Sequence, residues 1–304
     1  MAEMVFAPEP LSVWEILDYS VRLYRRHLGS LFCAAALVGL ATYPLGRVYL
    51  YGLQKYSVYM LEHPFSPASL LALLALLVGL FLLSVALTFI QSGVLAVMAG
   101  QAYREGRTSL EGLWLKLRFG RLLGACLLST CLIVLGTALF LVPGFYCAIN
   151  FALVPVVVVT EARGPVAALK RSWQLMRAPM PGGLWNNNVL RIMVLWSFII
   201  VLGLLALGIN STVTLLATKL WGVPRAAYTH VALPGNWALP VWAEIAVGLL
   251  GQLVDSFFRP FALCALVLLY YDIRLHREGL DVELMLDRMA PSGVVGSSAR
   301  IGRK

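Results

Sequence analysis

The sequence predicts an all-α polytopic membrane protein, with about six transmembrane helices arranged as three hairpins. Its composition is the first observation: 60% of the 304 residues are hydrophobic and 13% are charged. Soluble domains are about 45–50% apolar and about 25% charged. Second, six apolar runs reach or approach the roughly 20 residues that a helix needs to cross the hydrocarbon core. Third, a basic amphipathic stretch leads into a long apolar run in three places.

The six apolar runs define the predicted spans in chain order. They are Leu31–Leu50, Leu70–Gly100, Leu122–Val142, Phe145–Thr160, Ile192–Ile209 and Pro240–Tyr271. Helix breakers at Gly93, Pro155 and Pro260 predict kinks in the second span of each hairpin. The segment Pro67–Tyr103 would form a helix of about 55 Å at roughly 1.5 Å per residue. We therefore expect this span to tilt strongly or to project beyond the bilayer.

The distribution of basic residues predicts the orientation. With six spans and a cytoplasmic amino terminus, most of the 24 Lys and Arg residues fall in cytoplasmic connections. Arg47, Lys55, Lys219 and Arg225 fall on the opposite side. Because Lys and Arg are enriched in the cytoplasmic loops of membrane proteins, we expect both termini to face the cytoplasm.

Three basic amphipathic helices are expected to lie on the cytoplasmic membrane surface, one before each hairpin. The first opens with the capping box of Ser12 and Glu15. Helical spacing places its apolar side chains on one face: Trp14, Leu17, Val21, Tyr24 and Leu28. The second begins at Ser109, and the third begins at Gly164-Pro165, a favourable helix start.

The domain organisation follows from this threefold pattern. Residues 1–285 are expected to form one membrane domain with pseudo-repeats at about 10–106, 108–164 and 165–279. Residues 286–304 are expected to form a disordered cytoplasmic tail. Gly106, Gly164 and Gly279 end the three units, and each is placed to terminate a helix in the left-handed conformation.

One candidate site lies inside the last span, where Glu244, Asp255 and Arg259 share a helical stripe. Ionisable residues within the bilayer are functional candidates by default. One hypothesis is a proton or anion pathway lined by these three side chains. The favoured alternative is structural: Asp255 and Arg259, four residues apart, form a salt bridge that holds two helices in register, and Glu244 lies near the outer headgroups.

A second candidate set consists of basic residues suited to anionic lipid headgroups, each worth roughly 1 kcal/mol near such a surface. These are Arg25, Arg26, Lys116, Arg118, Arg121, Lys170, Arg171 and Arg177. The alternative is that the same charges only set the topology. Nucleic-acid binding is not expected, because no compact basic domain presents the net charge of +9.

Few residues of the sequence are arranged as a catalytic or metal-binding site would require. The five cysteines lie inside apolar runs and the four histidines are scattered, so we expect no catalytic residue, metal site or cofactor. Gln91 and Asn150 are interpreted as interhelical hydrogen-bond partners. Gly248 and Gly251, like Gly203 and Gly208, are expected to permit close contact between helices.

Five segments carry a family resemblance: Leu11–Leu17, Leu23–Arg26, Val142–Gly144, Ala167–Trp173, and Tyr270–Arg274 continued to Gly279. Over roughly residues 10–285 they resemble the membrane domain that is fused to, or named after, bacterial glycerophosphoryl diester phosphodiesterases. The resemblance implies a bacterial inner-membrane location. It does not imply the activity, because the catalytic domain of that family is a TIM barrel of about 250 residues, and nothing here could form one.

The expected function is that of a non-enzymatic integral inner-membrane protein. It would act as a scaffold, anchor or subunit for a partner such as an envelope-related or lipid-related enzyme, with anionic lipids around it and a protein partner or a second copy bound. The alternative is a carrier or channel for a lipid or small solute, which would use the intramembrane charges. An intramembrane lipid-modifying enzyme ranks third.

Overall fold

The computed structural model describes residues 11–62, 67–108, 119–161, 164–177, 188–224 and 237–278. Within these ranges the chain is almost entirely helical. The helices are α1 (Val13–Arg26), α2 (Leu28–Glu62), α3 (Pro67–Glu105), α4 (Phe119–Leu139), α5 (Leu141–Phe151), α6 (Val154–Glu161), α7 (Pro165–Met176), α8 (Asn188–Trp221) and α9 (Val241–Glu278). Between α8 and α9, strands β1 (Val223–Pro224) and β2 (Trp237–Ala238) form a short antiparallel pair.

Six segments of the described chain are long and apolar enough to cross a membrane. They are Leu28–Tyr49, Leu71–Arg104, Phe119–Leu139, Leu141–Glu161, Asn188–Trp221 and Val241–His276. The predicted fold class is therefore confirmed: the chain is an all-α, multi-pass membrane protein. The fifth span is longer than the apolar run suggested, because α8 continues as a helix from Ile209 to Trp221.

The core lies where three helical segments meet. The C-terminal halves of α3 and α9 pack against α6, and the buried apolar side chains concentrate at Val94–Ala99, Val154–Val158 and Phe261–Ile273. Around this core, α2 packs on α3 and α9, α8 packs on α9, and α7 packs on α4 and α6. The N-terminal half of α3 and most of α8 instead expose rows of large apolar side chains, as expected for surfaces in contact with lipid.

Helix α1 lies lengthwise along α9. At its start the Leu11 backbone N–H donates to Asp272 Oδ1 at 3.2 Å, and near its end the Tyr24 hydroxyl donates to the Phe257 carbonyl at 2.7 Å. Since the numbers rise along α1 while they fall along α9, the two helices are antiparallel. The predicted capping box is present, with Glu15 Oε2 accepting from the Ser12 N–H at 2.7 Å.

The amphipathic character of α1 is used mainly inside the protein. Its buried side chains are Ile16, Leu17, Ser20 and Tyr24, and they are covered by the bundle. Of the predicted apolar face, Trp14, Val21 and Leu28 remain exposed. α1 therefore packs on the bundle along its length through this face.

The three predicted helix breakers act differently. α5 ends at Phe151 and α6 begins at Val154, because Pro155 has no N–H to bond the Phe151 carbonyl. α9 continues through Pro260 as one helix. The Tyr24 hydroxyl bonds the Phe257 carbonyl one turn before this proline, where the missing N–H and the ring weaken the backbone ladder. α3 continues through Gly93 without a break.

The glycine caps were predicted correctly at one of the two described positions. Gly106 ends α3 with a φ of 65°, the left-handed conformation that glycine adopts without strain. Gly164 is instead the N-cap of α7 with φ −70° and ψ 165°, followed by Pro165 in the first turn. Gly279, the second amphipathic helix from Ser109 and the tail at 286–304 lie outside the described residues.

Candidate functional site

Glu244 joins the N-terminal end of α9 to α2. Its Oε1 accepts from Arg47 Nη1 at 2.8 Å, and both side chains are partly exposed. Close by, the Tyr43 hydroxyl lies 3.4 Å from the Ile245 carbonyl. The charge of Glu244 is thus compensated by a basic residue of another span.

Arg259 forms a polar link across three helices. Its Nη1 donates to Gln91 Oε1, and Gln91 Nε2 in turn donates to the Ala35 carbonyl at 3.2 Å. Gln91 is therefore the interhelical partner that the sequence predicted. The predicted Asp255–Arg259 pair makes no direct contact within 4.0 Å in the described residues, although the Asp255 charge still acts on Arg259 from one helical turn away. The long Arg259 side chain bonds to α3 instead of turning back along α9.

Asp255 is the one member of the predicted stripe whose role stays open. It is half-buried, and within the described ranges no hydrogen bond or ion pair is formed by its carboxylate. It lies one helical turn from Arg259 and one turn from Gly251. A carboxylate within a span that lacks a fixed partner is the natural candidate for binding something mobile.

Small residues bring α9 against its neighbours near this stripe. A Cβ on Gly248 would lie 2.2 Å from the Tyr43 hydroxyl oxygen, and one on Gly251 would lie 2.6 Å from Asn210 Oδ1. Both glycines therefore permit the close helix contacts that the sequence predicted. At Gly203 and Gly208 a Cβ would meet no heavy atom within 4 Å, so the same prediction fails for these two positions on α8.

The most deeply buried charges were not singled out by the sequence. Arg191 at the start of α8 forms an ion pair with Asp272 near the end of α9, and their side chains are 0% and 1% exposed. Arg191 Nη2 also donates to the Leu11 carbonyl at 2.7 Å. Because Asp272 Oδ1 accepts from the Leu11 N–H, both backbone groups of Leu11 are held by this pair. We call these three residues the Arg191 hub.

The Arg191 hub continues into two neighbouring groups. Asn188 Nδ2 donates to the Leu175 carbonyl of α7 at 3.1 Å, and Arg191 Nη1 lies 3.5 Å from Asn188 Oδ1. His276 Nδ1 lies 3.4 Å from Asp272 Oδ1 and 3.0 Å from the Asp272 carbonyl. Four parts of the chain therefore meet at one point: the segment before α1, and helices α7, α8 and α9.

A second polar network lies near the same ends of the helices. Arg171 Nε donates to both oxygens of Glu161, at 3.0 and 3.2 Å. The Tyr270 hydroxyl donates to Glu161 Oε1 at 3.0 Å, and Arg274 Nη1 lies 3.3 Å from the Tyr270 hydroxyl. Tyr271 stacks on Tyr103, with ring centroids 4.8 Å apart. The segment Tyr270–Arg274 thus serves helix packing.

Sequence reasoning missed both networks because their members are far apart in the chain. In the sequence, Arg191 is one of many basic residues between the predicted spans, and Asp272 lies within a family-like segment. The available signal was that each stands directly at the edge of an apolar run, on spans predicted to be neighbours. Two residues of opposite charge that lie at the same end of a helical hairpin, one on each helix, can form an ion pair between the helices. Applied to the last hairpin, this rule would have identified the pair of Arg191 and Asp272.

The candidate lipid-contact residues divide into three groups. Arg25, Arg26, Arg121, Lys170 and Arg177 are exposed. Arg171 is only 12% exposed and bonds Glu161, so the structure corrects this candidate to an internal ion-pair partner. Lys116 and Arg118 lie outside the described residues.

Arg177 differs from the other exposed basic residues because aromatic rings hold it. Its guanidinium carbon lies 4.9 Å from the Trp173 ring centroid and 5.8 Å from that of Tyr146. Its Nε donates to the Tyr146 hydroxyl at 3.1 Å, and Nη2 donates to the same oxygen. The neighbouring Asn150 bonds only the Tyr146 carbonyl of its own helix, so its predicted interhelical side-chain bond is not formed.

Reactive groups are dispersed in the part of the chain that the structure describes. No cluster of three or more His, Cys, Asp or Glu side chains could hold a metal ion there. Cys126 and Cys264 are buried in the core, as predicted for packing residues, whereas Cys33 and Cys131 are exposed. What the described geometry provides is a set of interhelical ties, one carboxylate without a fixed partner, and basic groups at the surface.

Comparison with known proteins gives one partial likeness. The chain is similar to a UPF0259 membrane protein of Photorhabdus laumondii subsp. laumondii, with 37% identity over 84 residues. The match covers 27% of this chain and 33% of that protein, so the chain spans about a third of the length of this curated relative. No protein-family model matches the chain, and no solved structure matches it. The likeness accords with an integral membrane protein, and the resemblance to the phosphodiesterase membrane domain stays a prediction.

Proposed function

We propose that this protein is a non-enzymatic scaffold or anchor that holds a partner protein in a bacterial inner membrane, with both termini in the cytoplasm. One observation carries the proposal: most of the buried or partly buried charged side chains in the described spans bond to another helix of the same chain. Glu244 bonds Arg47, Arg259 bonds Gln91, and Arg191 bonds Asp272. Such bonds fix the positions of helices.

The same bonds argue against a conducting pathway through these residues. An ion or solute that crosses a membrane must be bound tightly enough to enter and weakly enough to leave. A charge that already has a partner in its own protein is less available for this exchange. The buried Arg191–Asp272 pair also holds the backbone of Leu11, which favours a fixed framework over a moving gate.

The test is native mass spectrometry of the full chain, released gently from its own membrane. The proposal predicts a second polypeptide, or a second copy of this chain, bound at fixed stoichiometry. The isolated chain with no bound polypeptide, under conditions where a known membrane complex from the same preparation stays intact, would overturn it. That known complex is the control for loss of partners during release.

A second candidate function, a carrier for a lipid or small solute, is favoured by Asp255 alone. Its half-buried carboxylate has no fixed partner in the described ranges, and Arg259 lies one turn away. A bound small molecule of fixed mass, lost on Asp255→Asn with the melting temperature unchanged, would move the assignment to the carrier.

A further inference from the structure

We propose that Arg177 is the centre of a binding site for the phosphate of an anionic membrane lipid. The site lies at the C-terminal end of α7, between Trp173 and Tyr146, and its occupant is a lipid of the surrounding bilayer. This inference goes beyond the scaffold function and does not depend on which partner is bound.

The first argument is that the Arg177 side chain is held in place although it is exposed. Its guanidinium lies over the Trp173 ring at 4.9 Å and bonds the Tyr146 hydroxyl through Nε at 3.1 Å. The two rings contact each other edge to face at 5.5 Å, and Trp173 also packs on Phe151 at 5.8 Å. A guanidinium that is already ordered loses little freedom when an anion binds.

The second argument is that the charge of Arg177 is not neutralised. No carboxylate lies within 4.0 Å of it among the residues that the structure describes. By contrast, Arg22 pairs with Asp18 at 2.7 Å and Arg171 pairs with Glu161. The Tyr146 hydroxyl accepts hydrogen bonds from Nε and Nη2, on one edge of the guanidinium. The remaining N–H groups of Arg177 are available to bind an anion. Planar, charge-assisted bonds to phosphate are what such a group forms best.

The third argument is an apolar surface next to the charge. On α5, Val142 lies one turn before Tyr146 and is 78% exposed, and Leu141 and Phe145 are also exposed. One turn of helix is about 5.4 Å, which places an apolar track directly beside the guanidinium. A free phosphate has no apolar part that could contact this track, whereas the acyl chains of a lipid would lie along it.

A second exposed basic residue lies on the same helix as Arg177. Lys170, also exposed on α7 two turns earlier, adds positive charge on the same side.

The experiment uses the full chain in bilayer discs made of equal parts of phosphatidylcholine and phosphatidylglycerol. Native mass spectrometry then counts the phosphatidylglycerol molecules retained by each variant. Arg177→Gln is expected to lower the retained fraction by more than about fivefold, because a charge-assisted bond to phosphate is lost in addition to the roughly 1 kcal/mol of one basic residue near such a surface. Arg25→Gln is the matched control: it removes one exposed Arg of α1 that no described aromatic ring supports, so its loss of retention should be clearly smaller than that of Arg177→Gln.

Two further variants keep the test independent of folding. Arg177→Lys keeps the charge but loses the planar fork, so an intermediate loss is expected. Val142→Gln keeps the guanidinium and interrupts the apolar track, so it should also lower retention. Equal retention in Arg177→Gln and Arg25→Gln would overturn the proposal.

A competition arm separates a lipid from a soluble phosphate. Added inorganic phosphate or glycerol 3-phosphate should not displace the retained phosphatidylglycerol at concentrations where the ionic-strength control, sodium chloride, leaves it bound. Displacement by the soluble phosphates alone would assign the site to a free phosphate compound and contradict the lipid.

Discussion

The Arg191 guanidinium and the Asp272 carboxylate form an ion pair in which neither side chain reaches the surface. Removing one member of a buried pair leaves an uncompensated charge and costs about 3–5 kcal/mol. We expect Arg191→Met and Asp272→Leu each to lower the melting temperature in detergent strongly. The exposed pair of Asp18 and Arg22 is the control, because such pairs contribute only about 0–1 kcal/mol.

The double variant tests the pairing itself. Arg191→Met combined with Asp272→Leu leaves no buried charge, so it should be more stable than the worse single variant. If the stability lost in the double variant equals the sum of the losses in the two single variants, the side chains act independently, which would contradict the ion pair in the structure.

Gly144 gives a prediction about the contact between α4 and α5. A Cβ there would lie 2.6 Å from both the backbone N and Cα of Thr137, and a backbone cannot give way as a flexible side chain can. Gly144→Ala should therefore cost about 1–3 kcal/mol or more. Gly203→Ala, where a Cβ meets open space, should be neutral or stabilising by up to about 1 kcal/mol. Equal melting temperatures of the two variants would contradict the hairpin packing.

The hydrogen bond from Arg259 to Gln91 is predicted to contribute to the stability of the fold. Gln91→Leu removes the amide that accepts from Arg259 and donates to the Ala35 carbonyl. Leaving a charged donor without a partner costs about 1–3 kcal/mol, and urea or thermal unfolding should show it. Ser84→Ala is the control on the same helix, since its hydroxyl bonds only the Phe81 carbonyl of α3.

His27, between α1 and α2, gives the protein a pH dependence. Burial, and secondarily the charge of Arg26, lowers the pKa of His27 below its ordinary value, and its Nε2 is buried without a hydrogen-bond partner. The unfolded chain therefore binds the proton more readily, near pH 6.5. This group therefore leaves the stability unchanged above about pH 6.5, and the stability falls as the pH drops below that value toward the lower pKa of the folded state.

The measurement is the melting temperature of wild type and of His27→Gln between about pH 7.5 and about pH 5. These two pH limits bracket the ordinary histidine pKa near 6.5. The wild type should lose more stability on acidification than the variant. A variant that loses as much as the wild type would show that His27 does not carry the effect. Glu15 does not interfere, because its pKa is lowered by the Ser12 bonds and it titrates at more acidic pH.

The spans could be predicted because each depends on local composition. An apolar run such as Leu122–Val142 forms a helix in a bilayer whatever surrounds it, and the observed α4 agrees within a few residues. The capping box of Ser12 and the left-handed Gly106 were predictable for the same reason, since both are decided within one turn of helix.

The polar contacts could not be predicted because they depend on which helix faces which. Asp255 and Arg259 have the spacing of a salt bridge, yet Arg259 reaches Gln91 on another span. Gly248 and Gly208 look alike in sequence, but only Gly248 has a neighbour, Tyr43, within contact distance. Choices of this kind depend on tertiary packing, which spacing along one helix does not contain.

The central claim, that this chain is a scaffold and not a carrier, is tested most directly by Asp255→Asn. Native mass spectrometry should be run on wild type and variant, each released from its own membrane under the same conditions. The scaffold account predicts that both retain the same bound polypeptide at the same stoichiometry. A wild type that carries a small molecule and no polypeptide, with that molecule lost from a variant of unchanged melting temperature, would contradict it and identify a carrier.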